Sequence, residues 1–130
     1  MNTSPSPSSR TSTETDLNEL VGEWLDWSEA AERLQVSVSK VRQLIREHSL
    51  AAAVPVEGQG QKVPAAFLMD GEIVKGVPGV LTVLHDGNYG DREALVWLFT
   101  ADDSLPGRPI DALRENRGSE VKRRAQAMAF

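Results

Sequence analysis

The 130-residue chain contains no cysteine and only two histidines. Without cysteine it has no disulfide, no thiolate nucleophile and no zinc site built on sulfur, which is typical of proteins in reducing compartments. No apolar run approaches the roughly 18 to 20 residues that a membrane-spanning helix needs, and residues 1–16 lack the apolar core of a signal peptide. These absences predict a cytoplasmic protein with no membrane partner.

Few residues suit metal or acid–base chemistry. The two histidines, His48 and His85, are isolated in the sequence and lack the ligand spacing of zinc sites. His85 is followed by Asp86, but no nucleophile or oxyanion-hole motif accompanies this pair. We therefore expect no enzyme, no catalytic residue, no metal site and no cofactor.

Acidic residues outnumber basic ones by 19 to 14, so the net charge is −5 at pH 7. This excess argues against a protein that binds nucleic acid by positive charge alone. The charge is unevenly spread, because residues 37–62 carry four basic and two acidic side chains. So few cations predict weak, salt-sensitive binding of a nucleic acid by a single copy.

Three regions differ in composition. Residues 1–16 are rich in serine and threonine and poor in apolar side chains, which predicts a disordered tail. Residues 17–75 begin with apolar residues at helical spacing, typical of a short helix or ordered arm, and continue into short helices and hairpins. Residues 76–130 favour further helices over Pro78–His85, Asp91–Phe99 with Asp91 as cap, Pro109–Asn116 and Ser119–Met128. The expected fold class is α+β, mainly α.

Two short capped helices joined by a tight turn form the strongest local pattern. Ser28 is the candidate N-cap of the first helix, which ends near Leu34. Ser37 is the candidate cap of the second, in which Val41, Leu44, Ile45 and His48 recur at helical spacing. This arrangement predicts a helix-turn-helix.

The polar side of the second helix carries side chains that suit a DNA duplex. Arginine can bond guanine bidentately, glutamine can read adenine, and lysine or serine can hold phosphate. In this hypothesis Ser39, Arg42 and Gln43 read bases, while Lys40 and Arg46 hold phosphates. The alternative is an ordinary amphipathic helix with a solvated polar face. The full set of predicted DNA contacts is Ser37, Ser39, Lys40, Arg42, Gln43, Arg46 and Lys62.

Two β-hairpins are predicted after the helices. The first pairs residues 50–56 with 61–63 around a glycine-rich tip at residues 58–60. After a recognition helix it would be the wing of a winged helix, with Lys62 near the DNA backbone or minor groove; a plain turn is the alternative. The second places residues 67–69 against 72–74 around Asp70-Gly71, a dipeptide that suits a tight turn.

A second group of basic residues lies near the C terminus. It could contact phosphate, or it could be cations placed toward a helix C terminus or on a solvated face. The group consists of Arg114, Arg117, Lys122, Arg123 and Arg124.

Several motifs carry a resemblance to known families. Residues 27–45 resemble the helix-turn-helix of MerR-like and excisionase-like winged-helix proteins, with Gln35 where many such proteins have glycine. Further motifs are Val38–Val41, Pro78–Gly87, Trp97–Thr100, Arg108–Leu113 and Arg123–Ala129. With them, about residues 24–130 resemble a family of small actinobacterial winged-helix DNA-binding proteins whose mycobacterial member is a substrate of a Ser/Thr protein kinase.

This resemblance implies binding of double-stranded DNA through the winged domain. Together with the helix-turn-helix pattern, it leads us to expect a cytoplasmic, nucleoid-associated protein that regulates transcription. Composition leaves the serine- and threonine-rich tail open between inert disorder and regulatory phosphorylation, with Thr11, Thr13 and Thr15 as the candidate sites. The resemblance favours phosphorylation, with a Ser/Thr protein kinase as a partner, but it begins at about residue 24 and singles out no threonine. A phosphate there would add about −1.5 to −2 charges beside an already acidic arm and repel DNA.

Residues 91–128 also resemble the C-terminal toxin-contacting module of some bacterial antitoxins. This resemblance supplies an alternative function, a protein-interaction module that acts through the C-terminal helices. It would use an apolar and acidic surface of residues 91–113.

Overall fold

The computed structural model describes residues 16–105 and 107–129 as seven α-helices and two two-stranded antiparallel sheets. The helices are α1 (Leu17–Val21), α2 (Trp27–Leu34), α3 (Val38–Arg46), α4 (Val77–Asp86), α5 (Asp91–Leu98), α6 (Pro109–Arg114) and α7 (Gly118–Ala129). The strands are β1 (Trp24–Leu25), β2 (Val63–Pro64), β3 (Leu68–Met69) and β4 (Glu72–Ile73), with a 3-10 turn at Ala65–Phe67. The predicted class, α+β and mainly α, is confirmed. Apart from Asp16, the predicted tail lies outside the described residues. None of the helices in the described part of the chain has both the length and the apolar character of a membrane span.

The apolar pattern at the start of the described chain forms a short helix and then a strand. Asp16 caps α1 by accepting a hydrogen bond from the backbone N–H of Glu19 at 3.3 Å. Gly22 ends the helix with a φ of 86°. The chain then runs into β1, whose Leu25 is buried. The segment predicted as a short helix or ordered arm therefore forms the short helix α1 and then β1, one strand of a two-stranded sheet.

The two helices of the predicted helix-turn-helix are present, but the first cap differs from the prediction. Asp26 rather than Ser28 caps α2, because its carboxylate accepts from Glu29 N at 2.7 Å and the Glu29 carboxylate accepts from Asp26 N at 2.8 Å. This reciprocal pair is a capping box, which satisfies two backbone donors at once. Ser28 lies inside the helix and is exposed.

The predicted first hairpin is reduced to a single bridge. Ala53 and Lys62 exchange two backbone hydrogen bonds of 3.1 and 2.8 Å, and the loop between them includes Gly58 at a φ of 90°. Pro55 lacks the N–H that a longer ladder would need. Val63 continues into β2, which pairs with β1 rather than with residues 50–56. The wing is therefore a loop on one bridge, and its base belongs to a sheet with β1.

The second hairpin forms as predicted. Leu68 pairs with Ile73 and Met69 with Glu72. Asp70 and Gly71 between them have φ values of 55° and 78°, the two positive values that a type I′ turn requires.

The C-terminal helices lie close to their predicted ranges. The cap of α5 is Gly90 rather than Asp91, because Glu93 turns back to accept from the Gly90 N–H at 2.9 Å. Asp91 occupies the first helical position and directs its carboxylate elsewhere. Its Oδ1 lies 2.7 Å from His85 Nε2, and its Oδ2 accepts from Ala52 N at 3.3 Å.

One continuous core joins the winged part to the C-terminal helices. The rings of Phe67 and Phe99, both fully buried, are 5.8 Å apart between centroids. Arg114 of α6 donates to the carbonyl oxygens of Ala66 and Leu68 at 2.7 and 3.1 Å. The C-terminal helices α4 and α7 pack against each other, and α1 packs against α5.

The two candidate caps of α2 can be separated by mutation. We expect Asp26→Ala to lower the free energy of unfolding by about 1 kcal/mol, because it removes an N-cap and its capping box. Ser28→Ala should leave stability within about 0.5 kcal/mol, because an exposed helical serine is replaced by a better helix former. Urea unfolding followed by circular dichroism measures both. Equal loss in the two variants would contradict the assignment of Asp26 as the cap.

Candidate nucleic-acid interface

The turn between α2 and α3 fixes how α3 projects from the domain. Gln35 takes the left-handed conformation with φ 58° and ψ 45°, the position at which many helix-turn-helix proteins have glycine. The backbone N–H of Val36 then bonds the carbonyl of Ala31 at 3.0 Å, closing α2 in the manner of a Schellman motif. Glutamine therefore does not loosen the turn.

Helix α3 turns one polar face to solvent. Ser37 begins it as predicted, since its Oγ accepts from Lys40 N at 3.0 Å. Val41 has no exposed surface, and Leu44 and Ile45 pack partly buried against the core. The polar residues predicted to contact DNA from this helix are all exposed: Ser37, Ser39, Lys40, Arg42, Gln43 and Arg46.

Two of these side chains already have partners within the protein. The Arg42 guanidinium lies over the Trp27 ring, 5.6 Å from its centroid, and Gln43 Nε2 donates to Glu47 at 2.8 Å. Lys40 and Arg46 form no ion pair and no side-chain hydrogen bond within the described part of the chain. Lys40 and Arg46, which are predicted to hold phosphates, can therefore bind DNA without breaking a contact within the described part of the chain.

The wing carries the last of the predicted DNA contacts, Lys62. Lys62 is half-buried at the base of the loop, directly at its bridge with Ala53. Val54 and Val56 in the loop are 39% and 43% exposed, as are Val36 in the turn before α3 and Val38 at its first position, at 37% and 39%. Glu57 is the acidic residue of the exposed tip.

The C-terminal basic group is largely engaged in holding the fold together. Arg114 caps carbonyl groups of the winged part, Arg117 pairs with Glu115 at 2.9 Å and Glu120 at 3.6 Å, and Arg124 pairs with Asp102 at 3.3 Å. Hydrogen bonds from Ser104, followed by that contact with Arg124, lower the pKa of Asp102 below its usual range. This arrangement favours a structural role for these three arginines over a second phosphate contact, whereas the other two members of the group, Lys122 and Arg123, are exposed.

The surface required by the antitoxin-like alternative is mostly absent. Most apolar residues of 91–113 are buried in the core, Val96 and Trp97 are half-buried against it, and none of the large exposed hydrophobic side chains in the described residues belongs to this segment. Its acidic Asp111 accepts two bonds of 2.8 Å from Arg108, which lower the pKa of Asp111. Helices α5 and α6 therefore use most of their apolar side chains to complete the core, which argues against an apolar contact surface there, and the antitoxin-like function stays an alternative.

The two histidines that were isolated in the sequence are in contact in the structure. The rings of His48 and His85 stack with centroids 3.6 Å apart and planes inclined by 22°. The carboxylate partner of His85 is Asp91, not the neighbouring Asp86. Sequence reasoning missed this cluster, because its members come from three separate elements and no local spacing connects them.

Comparisons with known proteins agree with this architecture. The family model described as the winged helix-turn-helix domain of DNA-binding protein Rv2175c matches residues 13–68. The model described as the Rv2175c C-terminal domain of unknown function matches residues 74–129.

A relative and a solved structure give the same result. DNA-binding protein Rv2175c from Mycobacterium tuberculosis is 44% identical over 118 residues, covering 81% of this chain and 80% of the relative. The NMR structure of Rv2175c superposes with a TM-score of 0.75 at 43% identity, covering 83% of this chain and 82% of that one. The expected actinobacterial family is thereby confirmed: the chain belongs to the family of the mycobacterial DNA-binding protein Rv2175c.

Proposed function

We propose that this protein binds double-stranded DNA by laying α3 in the major groove, with the wing beside it, and that it regulates transcription in the cytoplasm at the nucleoid. The observation that carries the proposal is the exposed polar face of α3, opposite the buried Val41. The name of the family relative, a DNA-binding protein, supports the same assignment. The role is binding rather than catalysis.

The proposed contacts follow from what each side chain can donate. Lys40 and Arg46 hold phosphates, since both are exposed cations without a partner in the described chain. Arg42, Gln43 and Ser39 reach base edges, with Arg42 held over the Trp27 ring before binding. The Ser37 hydroxyl oxygen accepts the hydrogen bond that caps α3, and its hydroxyl proton can still be donated to a phosphate.

The wing has a supporting part in this proposal. The Lys62 stem is half-buried at the bridge, so its ammonium group is the part that can extend toward a phosphate. A single cation on the wing fits weak, salt-sensitive binding by one copy, as expected from the small number of basic residues.

A matched pair of double variants tests the phosphate contacts. We expect Lys40→Ala with Arg46→Ala to weaken binding at all DNA sequences and to make the plot of log K against log salt shallower by about 1.8, since each phosphate contact contributes about 0.9. Lys122→Ala with Arg123→Ala removes the same two charge types from exposed positions of α7 and serves as the control. Fluorescence titration across salt concentrations measures both. Equal losses in the two variants would contradict the assignment of α3.

Glu47 provides a second test, because its carboxylate lies beside the proposed interface and accepts a bond from Gln43. We expect Glu47→Gln to tighten DNA binding by about two- to fivefold at low salt, since one surface charge contact is worth about 0.5–1 kcal/mol and salt screens it. Asp103→Asn in the exposed C-terminal loop is the control with the same charge change. Unchanged affinity of the Glu47 variant at low salt would place Glu47 away from the duplex.

We also propose that a Ser/Thr protein kinase regulates this binding by phosphorylating the tail at Thr11, Thr13 or Thr15, which lie outside the described residues. The adjoining helix α1 is already acidic, with exposed Asp16 and Glu19. Added negative charge next to it would repel the DNA backbone.

Replacing the three threonines tests this proposal. We expect the triple Thr→Glu variant to bind DNA more weakly than the wild type at low salt, with a difference that narrows as salt screens the charges. The triple Thr→Gln variant is the uncharged control. The same affinity for the Glu and Gln variants at low salt would remove the tail from the mechanism.

A further inference from the structure

Three side chains capable of metal ligation meet where the winged part joins the C-terminal helices. His48 follows α3, His85 lies in the last turn of α4, and Asp91 opens α5. One ligand atom from each of these side chains lies within 4.8 Å of the other two. They are the chain's two histidines together with one carboxylate, so every imidazole of the protein is in this cluster.

One nitrogen of this cluster has no hydrogen-bond partner among the described residues. His48 Nδ1 is buried and accepts or donates no hydrogen bond among the described residues. Buried polar atoms are nearly always hydrogen-bonded, so an unpaired one points to a group such as water or an ion at that place. The backbone fixes where this side chain leaves the chain, because His48 takes the left-handed conformation, φ 64°, at the turn that closes α3 through a bond from Ser49 N to Leu44 O.

We propose that His48, His85 and Asp91 bind one divalent transition-metal ion of the zinc class. Two imidazole nitrogens and one carboxylate oxygen suit such ions, whereas Mg²⁺ and Ca²⁺ prefer sets of oxygen ligands. Three protein ligands leave a fourth tetrahedral position for water. The side chains of His85 and Asp91 are 18% and 27% exposed, so this position can face solvent.

Binding of an ion requires one movement in the cluster. The imidazole rings of His48 and His85 are stacked with centroids 3.6 Å apart, and an ion lies in the plane of each ring that binds it, so one ring has to turn about its side-chain bonds. The distances allow this movement. Bonds of 2.0 to 2.2 Å place tetrahedral ligand atoms about 3.3 Å apart, so the most distant pair would approach by about 1.5 Å at most. His85 Nε2 and Asp91 Oδ1 are already 2.7 Å apart, and an ion bound to both atoms would replace the hydrogen bond that joins them. Asp91 Oδ2 accepts from Ala52 N, an outer hydrogen bond of the kind that orients ligating carboxylates.

An ion here would connect the end of the proposed recognition helix to α4 and α5. It would fix the orientation of α3 relative to α4 and α5. None of its ligands is a residue of the exposed polar face of α3. The site therefore does not depend on the proposed DNA contacts, and it can be tested in their absence.

The test uses the full chain without a polyhistidine tag, after removal of metals with a chelator. Because the chain has two histidines and no cysteine, imidazole binding of a metal reports on this cluster alone. We expect ZnCl₂ to bind at one equivalent in calorimetry and to raise the melting temperature, CoCl₂ to give the visible absorption of tetrahedral Co²⁺, and MgCl₂ to do neither. Absence of saturable Zn²⁺ binding would overturn the proposal.

Variants locate the site. Asp91→Asn should weaken Zn²⁺ binding at least tenfold, whereas Asp86→Asn, the same change at an exposed neighbour of His85, should leave it unchanged. His48→Asn should weaken it similarly, since asparagine tolerates the left-handed backbone of that position. Equal affinities of the Asp91 and Asp86 variants would overturn the proposal.

A measurement on the wild type covers the case in which a cluster variant fails to fold. In NMR spectra of the imidazole groups, one equivalent of Zn²⁺ should shift the signals of both histidines together. A shift of only one histidine, or of neither, would overturn the proposal.

Discussion

The burial of Val41 is the constraint on which the rest of the helix-turn-helix depends. Val41 has no exposed surface and shares the core with Ala30 and Ala31 of α2. Fully burying a side chain of this kind contributes roughly 1.5–3 kcal/mol, and it fixes the rotation of α3 about its own axis. Because helical neighbours recur every 3.6 residues, fixing one face inward fixes the opposite polar face outward. The exposure of Lys40, Arg42 and Arg46 therefore follows from the packing of one valine.

The sequence predicts those features that depend on neighbours along the chain. The period of Val41, Leu44 and Ile45 gives α3, and Asp70-Gly71 gives the second hairpin. The cap of α2 was within reach as well: Asp26 is followed three residues later by Glu29, while Ser28 is followed by Ala31. Aspartate and serine have similar preferences for the N-cap position, so the glutamate three residues later is the signal that identifies Asp26 as the cap.

Features that depend on distant residues could not be predicted in the same way. Val63 and Pro64 pair with β1, about forty residues earlier, in preference to the nearer residues 50–56. The base of the wing therefore belongs to a sheet that no local pattern reveals. The stacking of His48 on His85 has the same origin, since it follows from how α4 packs beside the end of α3. The ends of two helices were also hard to predict. After α3 and α4 the left-handed residues are His48 and Asn88, whereas the usual sequence signal for a helix end is glycine.

The C-terminal helices complete the winged part rather than extend from it. Arg114 donates to the carbonyl oxygens of Ala66 and Leu68, and Asp91 accepts from the backbone of Ala52. These bonds satisfy backbone groups at both ends of the wing segment, where unpaired buried carbonyl and N–H groups would be costly. The C-terminal helices thus stabilise the base from which the wing projects. Because the apolar faces of these helices are used for this purpose, none of the large exposed hydrophobic side chains in the described residues belongs to them, and what they present to a partner is mainly polar.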